Sequence, residues 1–161
     1  MTIPSDTINL VTRTPAEVLA WIDSLDPATR AEISPDWVAR ISSSAEPDPW
    51  VHGFVMVDRD NGEPVGSCAF KGPPDDEGMV EIGYGVDEAH RGRGYATESA
   101  LAMARFALGQ DAVRVVRAHT RLDGVASMRV LEKCGFERIG EVIDPEDGLV
   151  LRWEMRRVGA E

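Results

Sequence analysis

The sequence predicts an α/β protein of the α+β type, with a mixed, mostly antiparallel sheet of about six or seven strands and about four helices. Short strand-like runs are separated by turn signals, of which Asn61-Gly62 and the DPEDG segment at residues 144–148 predict hairpins. In the last run, apolar and polar residues alternate from Leu149 to Met155, as in a sheet with one buried face. Helix-like runs fall between these strands.

Three elements are predicted in the first third of the chain. Ile8 to Thr12 is strand-like. A helix follows from Pro15 to about Leu25, because Thr14 is a suitable N-cap, proline suits the first turn and Glu17 completes a capping box. The Ser34-Pro pair predicts a second helix, which ends near Ser42.

Strands and helices alternate through the rest of the chain. Helices are predicted at Tyr95–Leu108 and at Val125–Cys134, where Gly135 stops the second one. The predicted strands are Val51–Asp58, Val65–Phe70, Met79–Val86, Val113–Thr120, Phe136–Ile143 and Leu149–Arg156.

The composition indicates one compact domain over residues 1–161, since 43% of the residues are hydrophobic. The start of the chain has no signal-peptide pattern and no apolar run is long enough to span a bilayer, so we expect a cytoplasmic protein. Cys68 and Cys134 are far apart and lack metal-ligand spacing, which predicts neither a disulfide nor a zinc site.

The formal net charge of -11 argues against a nucleic-acid partner, because such a chain repels phosphate backbones at long range. A cationic partner suits this charge better. An acidic surface that serves only solubility explains the same charge, and the composition does not choose between the two.

A loop rich in glycine and arginine separates the strand that ends at Val86 from the helix that begins at Tyr95. Residues 91–96 of this loop have the sequence RGRGYA. Free backbone N–H groups and the positive end of the helix dipole converge there, which favours binding of a pyrophosphate. The loop lacks the Gly-Lys-Ser/Thr of a Walker motif and the glycine spacing of a dinucleotide fingerprint. An ordinary glycine-rich turn is the alternative.

Two motifs carry a resemblance to a known family. The pattern R-x-x-G-x-A over Arg91 to Ala96, after VEIGYGV and before TESALAMA, resembles the acyl-CoA binding motif of the GNAT superfamily of N-acetyltransferases. The segment ASMRVLEKCGFERIGE at residues 126–141 is similar to a later helix-turn-strand of the branch that includes ribosomal-protein alanine acetyltransferases. The resemblance is specific over residues 79–141 and implies the GNAT fold. Residues 1–50 match only in the order of their elements.

The resemblance implies acetyl-CoA as the acyl donor and no metal. It places the pyrophosphate on the amides of the loop and the pantetheine arm along the end of the preceding strand. Members of the superfamily splay this strand from the next parallel one, which leaves N–H groups free for a thioester oxyanion. Gly83 and Gly85 suit such a gap, or an ordinary bulge. The implied cofactor-binding residues are Tyr84, Gly85, Val86, Arg91, Gly92, Arg93, Gly94, Tyr95 and Ala96.

Glu81 and Ser127 are the candidate catalytic residues. A carboxylate in the middle of MVEIGYGV is out of place unless it lines a polar cleft, and acidic residues here serve as the base in many superfamily members. A structural pair with a neighbouring strand is the alternative for Glu81. Many members carry a tyrosine acid where Leu131 stands, and the ribosomal-protein branch suggests Ser127 instead. Gly124 replaces a usual asparagine, which removes one cofactor contact.

Other side chains are weaker candidates. Glu98 lies in the first turn of the helix, where the dipole alone explains a carboxylate. His119 ends a strand near the expected cleft and could relay a proton, although a structural imidazole is the simpler interpretation. The aromatic residues Trp21, Trp37 and Trp50 could line an acceptor pocket or pack in a core.

The sequence thus predicts an acetyl-CoA-dependent N-acetyltransferase that transfers acetyl to a primary amine by direct attack. The alternative is a non-catalytic acyl-CoA-binding sensor or scaffold module. The expected partner is a small-molecule or peptide amine, for example a protein N-terminus, with neither nucleic acid nor membrane involved. The protein is expected to be a monomer or a homodimer.

Overall fold

A computed structural model describes residues 1–43 and 46–157 of the chain. Its strands are β1 (Thr2–Pro4), β2 (Ile8–Thr12), β3 (Phe54–Asp58), β4 (Pro64–Phe70), β5 (Met79–Val86), β6 (Val115–Thr120), β7 (Glu137–Asp144) and β8 (Gly148–Arg156). Its α-helices are α1 (Pro15–Ser24), α2 (Pro27–Ala31), α3 (Pro35–Ser43), α4 (Tyr95–Leu108) and α5 (Val125–Cys134). A single 3-10 turn, Glu88–His90, precedes α4.

All eight strands form one sheet in the order β1-β2-β3-β4-β5-β6-β8-β7. Every neighbouring pair is antiparallel except β5 and β6, which are parallel. The parallel pairing begins at Met79 with Val115 and ends at Glu81 with Arg117. Beyond that point residues 82–86 of β5 pair with β4 alone, so β5 and β6 diverge and leave a wedge in the middle of the sheet.

The main core lies between the sheet and α4. The buried face of α4 is dominated by small residues, among them Ala100, Ala104 and Ala107, with the larger Met103 between them. Small side chains let the helix approach β5 closely, which fixes the start of α4 next to the end of that strand. Trp153 of β8 is 1% exposed, and its indole N–H donates to the Thr120 hydroxyl at 3.1 Å.

A separate, smaller cluster holds α1 against α3. Val18 and Ile22 of α1 meet Ile41 of α3, and Trp37 packs on their edge. These two helices therefore have a hydrophobic cluster of their own, separate from the main core. None of the helices in the described part of the chain is long and apolar enough to cross a membrane.

The predicted fold class is confirmed, with differences at the short elements. The bounds predicted for β2, β5, α4 and α5 are those of the structure. The sheet has one strand more than the upper expectation because β1, only three residues long, carries no readable pattern. The strand predicted from Val51 begins instead at Phe54, since the N–H groups of Val51 and His52 both donate to the Asp48 carbonyl in a turn.

Candidate functional site

A cleft opens beside the free end of β5, between the loop at residues 87–94 and the start of α5. It contains a cavity of about 580 Å³, which we call the donor cleft. Of the cofactor residues implied by the resemblance, all except Arg93 line it. Ser127, His90 and Lys133 line it as well. The wedge between β5 and β6 and the start of α4 therefore meet at one cavity.

Gly92 and Gly94 shape the loop over this cleft. Their φ angles are +80° and +82°, in the left-handed region that favours glycine. A β-carbon added at either position would meet no atom within 4 Å, so the space beside the loop is open. Within the described residues, the backbone N–H groups of residues 92–97 have no acceptor. Open amides at the positive end of a fourteen-residue helix form a cradle for an anion.

The side chains of Tyr95 and Arg93 both lie close to Asp58 at the end of β3. The Tyr95 hydroxyl donates to Asp58 Oδ2 at 2.8 Å, which ties the start of α4 to the end of β3. This hydrogen bond, and more weakly the charge of Arg93, lower the pKa of Asp58. Arg93 thus stands beside Asp58, which explains its absence from the donor cleft. At Tyr95 only the backbone is left to bind a ligand.

Glu81 lies on the β5 face that also carries Gly83 and Gly85, and it is held by two side chains. Lys71, just past the end of β4, places Nζ 2.8 Å from Glu81 Oε2, and His119 of β6 places Nδ1 3.1 Å from the same oxygen. The Glu81 side chain is 15% exposed. Burial opposes the charge of Lys71, but the hydrogen bond and charge of Glu81 outweigh it and raise the pKa of Lys71.

The proton on His119 is fixed by its second partner. Arg152 donates Nε–H to His119 Nε2 at 3.1 Å, so in the neutral ring the proton lies on Nδ1, the atom that faces Glu81. The Nδ1 atom is close to the carboxylate but poorly aligned for a hydrogen bond, since it is buried and unpartnered among the described residues. In the neutral ring, the protonated Nδ1 of His119 therefore lies beside the Glu81 carboxylate.

The same side chains could be taken for a metal site. Ligand atoms of Glu81, His119 and Asp144 lie within 4.8 Å of one another. However, the ammonium of Lys71 and the guanidinium of Arg152 already compensate Glu81 and His119 at hydrogen-bond distance. Two fixed cations next to the ligand atoms disfavour a third, so we interpret the cluster as an ion-pair network.

Ser127 lies near the start of α5, and its hydroxyl is a neighbour of the Tyr84 hydroxyl in the lining of the donor cleft. Burial raises the pKa of Tyr84 to about 12, and the nearby Ser127 hydroxyl offsets a smaller part of this shift. Two neighbouring hydroxyls thus line the cleft, where the sequence predicted one. The sequence could not predict that Tyr84 lies next to Ser127, because no local spacing relates a residue in β5 to one in α5.

A second cavity, of about 430 Å³, lies on the other side of the diverging β5. Gly83 and Gly85 line it from the sheet, and Trp21 and Trp37 line it from α1 and α3. We call it the acceptor-side cavity. Trp50, the third tryptophan considered for a pocket, packs instead on the Phe70 ring at 4.7 Å and belongs to the main core.

Glu98 is a structural residue in this arrangement. Its carboxylate accepts hydrogen bonds from the Thr7 N–H at 2.6 Å, the Thr7 hydroxyl at 2.5 Å and the Ile8 N–H at 3.1 Å. Burial alone would raise the pKa of Glu98, but the Thr7 bonds lower it below its ordinary value. Glu98 therefore fastens β2 to α4.

A wedge between two parallel strands, followed by an amide cradle at a helix start, defines the class of protein that the two motifs indicated. The match of a family model to residues 3–137 agrees, and the chain belongs to the acetyltransferase (GNAT) domain family.

Relatives with similar sequences carry acetyltransferase names. The chain is 39% identical over 83 residues to the uncharacterized N-acetyltransferase YjdG of Bacillus subtilis (strain 168), across 52% of this chain and 49% of that protein. It is 24% identical over 93 residues to the uncharacterized N-acetyltransferase p20 of Bacillus licheniformis, across 58% of this chain and 52% of that protein. The matches thus span about half the length of these two curated relatives.

Solved structures share the fold over nearly the whole chain. RimL, a ribosomal L7/L12 alpha-N-protein acetyltransferase in complex with coenzyme A, has a TM-score of 0.71 at 17% identity and covers 97% of this chain and 98% of its own. The AAC(6')-Ib complex with paromomycin and acetyl-CoA has a TM-score of 0.66 at 20% identity, with 95% of each chain covered. At these identities the likeness shows the fold alone.

Proposed function

We propose that this protein is an N-acetyltransferase that moves an acetyl group from acetyl-CoA to a primary amine by direct attack. The observation that carries the proposal is the open amide cradle at the start of α4, which faces a cavity at the wedge between β5 and β6. Family membership supports the reaction class. RimL and AAC(6')-Ib, which share the fold, are named as complexes with coenzyme A and acetyl-CoA.

The donor cleft offers the hydrogen-bond donors and positive charge that acetyl-CoA requires. Acetyl-CoA supplies an acyl group activated as a thioester and a pyrophosphate that needs hydrogen-bond donors. The N–H groups of residues 92–96 would hold the phosphates, with Arg91 and Lys133 of the cleft adding positive charge. Gly85 and Val86 line the cleft next to the unpaired edge of β5, where backbone N–H groups are free to stabilise an oxyanion.

Glu81 is the proposed base, directly or through a water. Acetyl transfer needs the amine without its extra proton, and a carboxylate near the acceptor can accept it. His119 Nδ1 faces the same oxygen, but in the neutral ring it already carries a proton, which leaves Glu81 as the acceptor. Lys71 holds the carboxylate in place and would compete with an acceptor amine for it, so the role of Glu81 requires a direct test by substitution.

The Tyr84–Ser127 pair is the proposed source of a proton for the leaving thiolate. The two hydroxyls are neighbours in the lining of the donor cleft. A phenol with a pKa of about 12 stays protonated at neutral and moderately alkaline pH, so it remains a donor throughout that range. Ser127 would then pass the proton, with Tyr84 replenishing it.

A non-catalytic acyl-CoA-binding module is the second candidate. The ion pair of Glu81 with Lys71 at 2.8 Å favours it, because a carboxylate already engaged with an ammonium has a structural role without any acceptor. A binding module would hold acyl-CoA in the same donor cleft as an acetyltransferase, and the two candidates differ only in whether acetyl is transferred.

The finer assignments are proposals as well. The acceptor is a small-molecule or peptide amine rather than nucleic acid, and the protein works as a monomer or homodimer. The two buried cysteines, Cys68 and Cys134, are free thiols, which agrees with a cytoplasmic location because that compartment is reducing.

The experiment that tests this function measures free thiol released from acetyl-CoA in the presence of amines. The amine panel holds alanine- and serine-starting peptides, free amino acids, aminoglycosides and polyamines, and mass spectrometry identifies the product. We expect amine-dependent thiol release with one acetylated amine per thiol. Coenzyme A binding without thiol release for any amine would support the sensor instead.

A further inference from the structure

The acceptor-side cavity contains a buried hydrogen-bond donor that nothing in the described chain satisfies. His52 lines the cavity and is 2% exposed. Its Nδ1 accepts the Asp48 N–H at 2.7 Å, so the ring proton lies on Nε2. Nε2 is buried and has no hydrogen-bond partner among the described residues. A buried donor without an acceptor is destabilising, and a bound oxygen would remove this cost.

Arg13 lines the same cavity and brings a positive charge to it. Its guanidinium lies 5.7 Å from the centre of the Trp21 ring, as a cation–π contact. No carboxylate in the described residues forms an ion pair with it. Lys71, the other cation in the lining, is compensated by Glu81 at 2.8 Å and Asp147 at 3.8 Å. Arg13 is therefore the cation left for a ligand in this cavity.

The lining has donors and apolar surface but, in the described part of the chain, no aspartate or glutamate. Trp21 and Trp37 provide aromatic surface on the side of α1 and α3, whereas Gly83 and Gly85 leave open space over β5. The whole chain is strongly acidic, yet this cavity is locally positive. A polyamine or aminoglycoside would bring further positive charge to Arg13, and no carboxylate in the described lining would pair with its additional ammonium groups.

We propose that the acceptor is a small amine that also carries a carboxylate, that is, an amino acid. Arg13 and His52 Nε2 bind the carboxylate, and the apolar side chain of the amino acid packs on Trp21 and Trp37. The amine then projects over Gly83 and Gly85 towards the wedge that joins the two cavities. This proposal rests on the proposed function, because it names the acceptor of the same reaction.

Matched pairs of acceptors test the proposal: phenylalanine with phenylalaninamide, and leucine with leucinamide. Each pair differs only in the carboxylate. We expect the carboxylate forms to have kcat/KM values at least about tenfold higher, the loss expected for one charged contact. An amide lowers the pKa of the neighbouring amine, which by itself would favour the amide, so a preference for the carboxylate cannot come from amine basicity.

Arg13→Gln should raise KM for the carboxylate acceptors by about ten- to a hundredfold and leave the amides unaffected. Arg129→Gln, at an exposed position on α5, is the matched control and should change neither. Binding is also followed, independently of turnover, by tryptophan fluorescence in the presence of coenzyme A. Saturable binding of phenylalanine but not of its amide is expected.

The possible failures are separable. Acetylation of polyamines or aminoglycosides in preference to every carboxylate-bearing amine would overturn the amino-acid proposal and leave the acetyltransferase proposal standing. Equal binding of the acid and amide forms, or an unchanged KM in Arg13→Gln, would overturn it as well. Coenzyme A binding measured by calorimetry shows in each case whether the donor cleft is intact.

Discussion

At the scale of single residues, Glu81 shows where its surroundings modify a sequence-based interpretation. A carboxylate in the middle of an apolar strand predicted a polar partner or a catalytic role. The structure shows the polar partners and leaves the catalytic role as a proposal. The groups that hold it are Lys71, directly after the end of β4, and His119 of β6 on the other side. Lys71 follows from the antiparallel register with β5, because the Lys71 N–H donates to the Glu81 carbonyl. His119 could not be assigned before the parallel pairing was known.

Replacing Glu81 with glutamine tests its role as the base. Glu81→Gln keeps the size and a hydrogen-bonding tip but removes the basicity. We expect turnover to fall by about two to three orders of magnitude near neutral pH and to recover partly as pH approaches the pKa of the acceptor amine, where free amine forms without help. Steady-state rates across pH measure this. Glu141→Gln, exposed on β7, is the control. A parental pH profile in Glu81→Gln would make Glu81 structural.

The two hydroxyls of the donor cleft give a second prediction. Ser127→Ala and Tyr84→Phe should each lower turnover by about ten- to a thousandfold with little change in the affinity for coenzyme A. If the two neighbouring hydroxyls act as one relay, the double variant should lose little more than the worse single variant. Turnover of the three variants and calorimetry with coenzyme A measure this. Additive losses would contradict a shared relay, and unchanged turnover would mean that the thiolate leaves unaided.

At the scale of elements, the cradle and the helix that follows it are where sequence and structure agree best. The bounds of α4 were predictable because Gly94 precedes a continuous amphipathic run, and those of β5 because turn residues flank it. The short elements β1 and α2 were not predictable from the sequence, since three and five residues carry too little pattern and their neighbours determine their structure. The side-chain direction of Arg93 depended on Asp58, which is distant in sequence.

A pair of glycine variants tests the cradle. Gly94→Ala and Gly62→Ala impose similar backbone strain, since the two φ angles are +82° and +73° and neither β-carbon meets an atom within 4 Å. Only Gly94 lies in the donor cleft, whereas Gly62 lies in the β3–β4 turn. We expect Gly94→Ala to weaken coenzyme A binding by about tenfold or more and Gly62→Ala to leave it unchanged, as measured by calorimetry. Equal affinities in the two folded variants would contradict the cradle.

At the scale of the whole molecule, Glu98 joins two parts of the chain that are far apart in sequence. Its three hydrogen bonds fasten the start of β2 to the first turn of α4, so the amino-terminal strands and the cradle helix are held together. The helix dipole, which was the sequence-based explanation, accounts for a carboxylate at this position but not for its partners. This contact keeps α4 and its cradle in place.

Glu98→Gln should reduce the free energy of unfolding by about 1–2 kcal/mol at neutral pH, less than three buried charged bonds would give, because the site is partly exposed. The lowered pKa sets the pH dependence. The stabilisation is present above the ordinary value of 4.5 and is lost as pH falls through the lower pKa of the folded state. Urea unfolding of the parent and the variant across acidic pH should therefore converge. Glu132→Gln, exposed on α5, is the control, and a constant difference down to low pH would contradict the assignment.

The central claim, that the donor cleft delivers acetyl to an amine, is tested most directly with acetyl-CoA labelled in its acetyl group. The parent, Gly94→Ala and Gly62→Ala proteins are incubated with labelled donor and the amine panel, and mass spectrometry follows the label. We expect the label to appear on an amine with the parent protein and with Gly62→Ala, and to appear there much more slowly with Gly94→Ala. Label that stays on coenzyme A with every amine, while the donor binds, would contradict the claim.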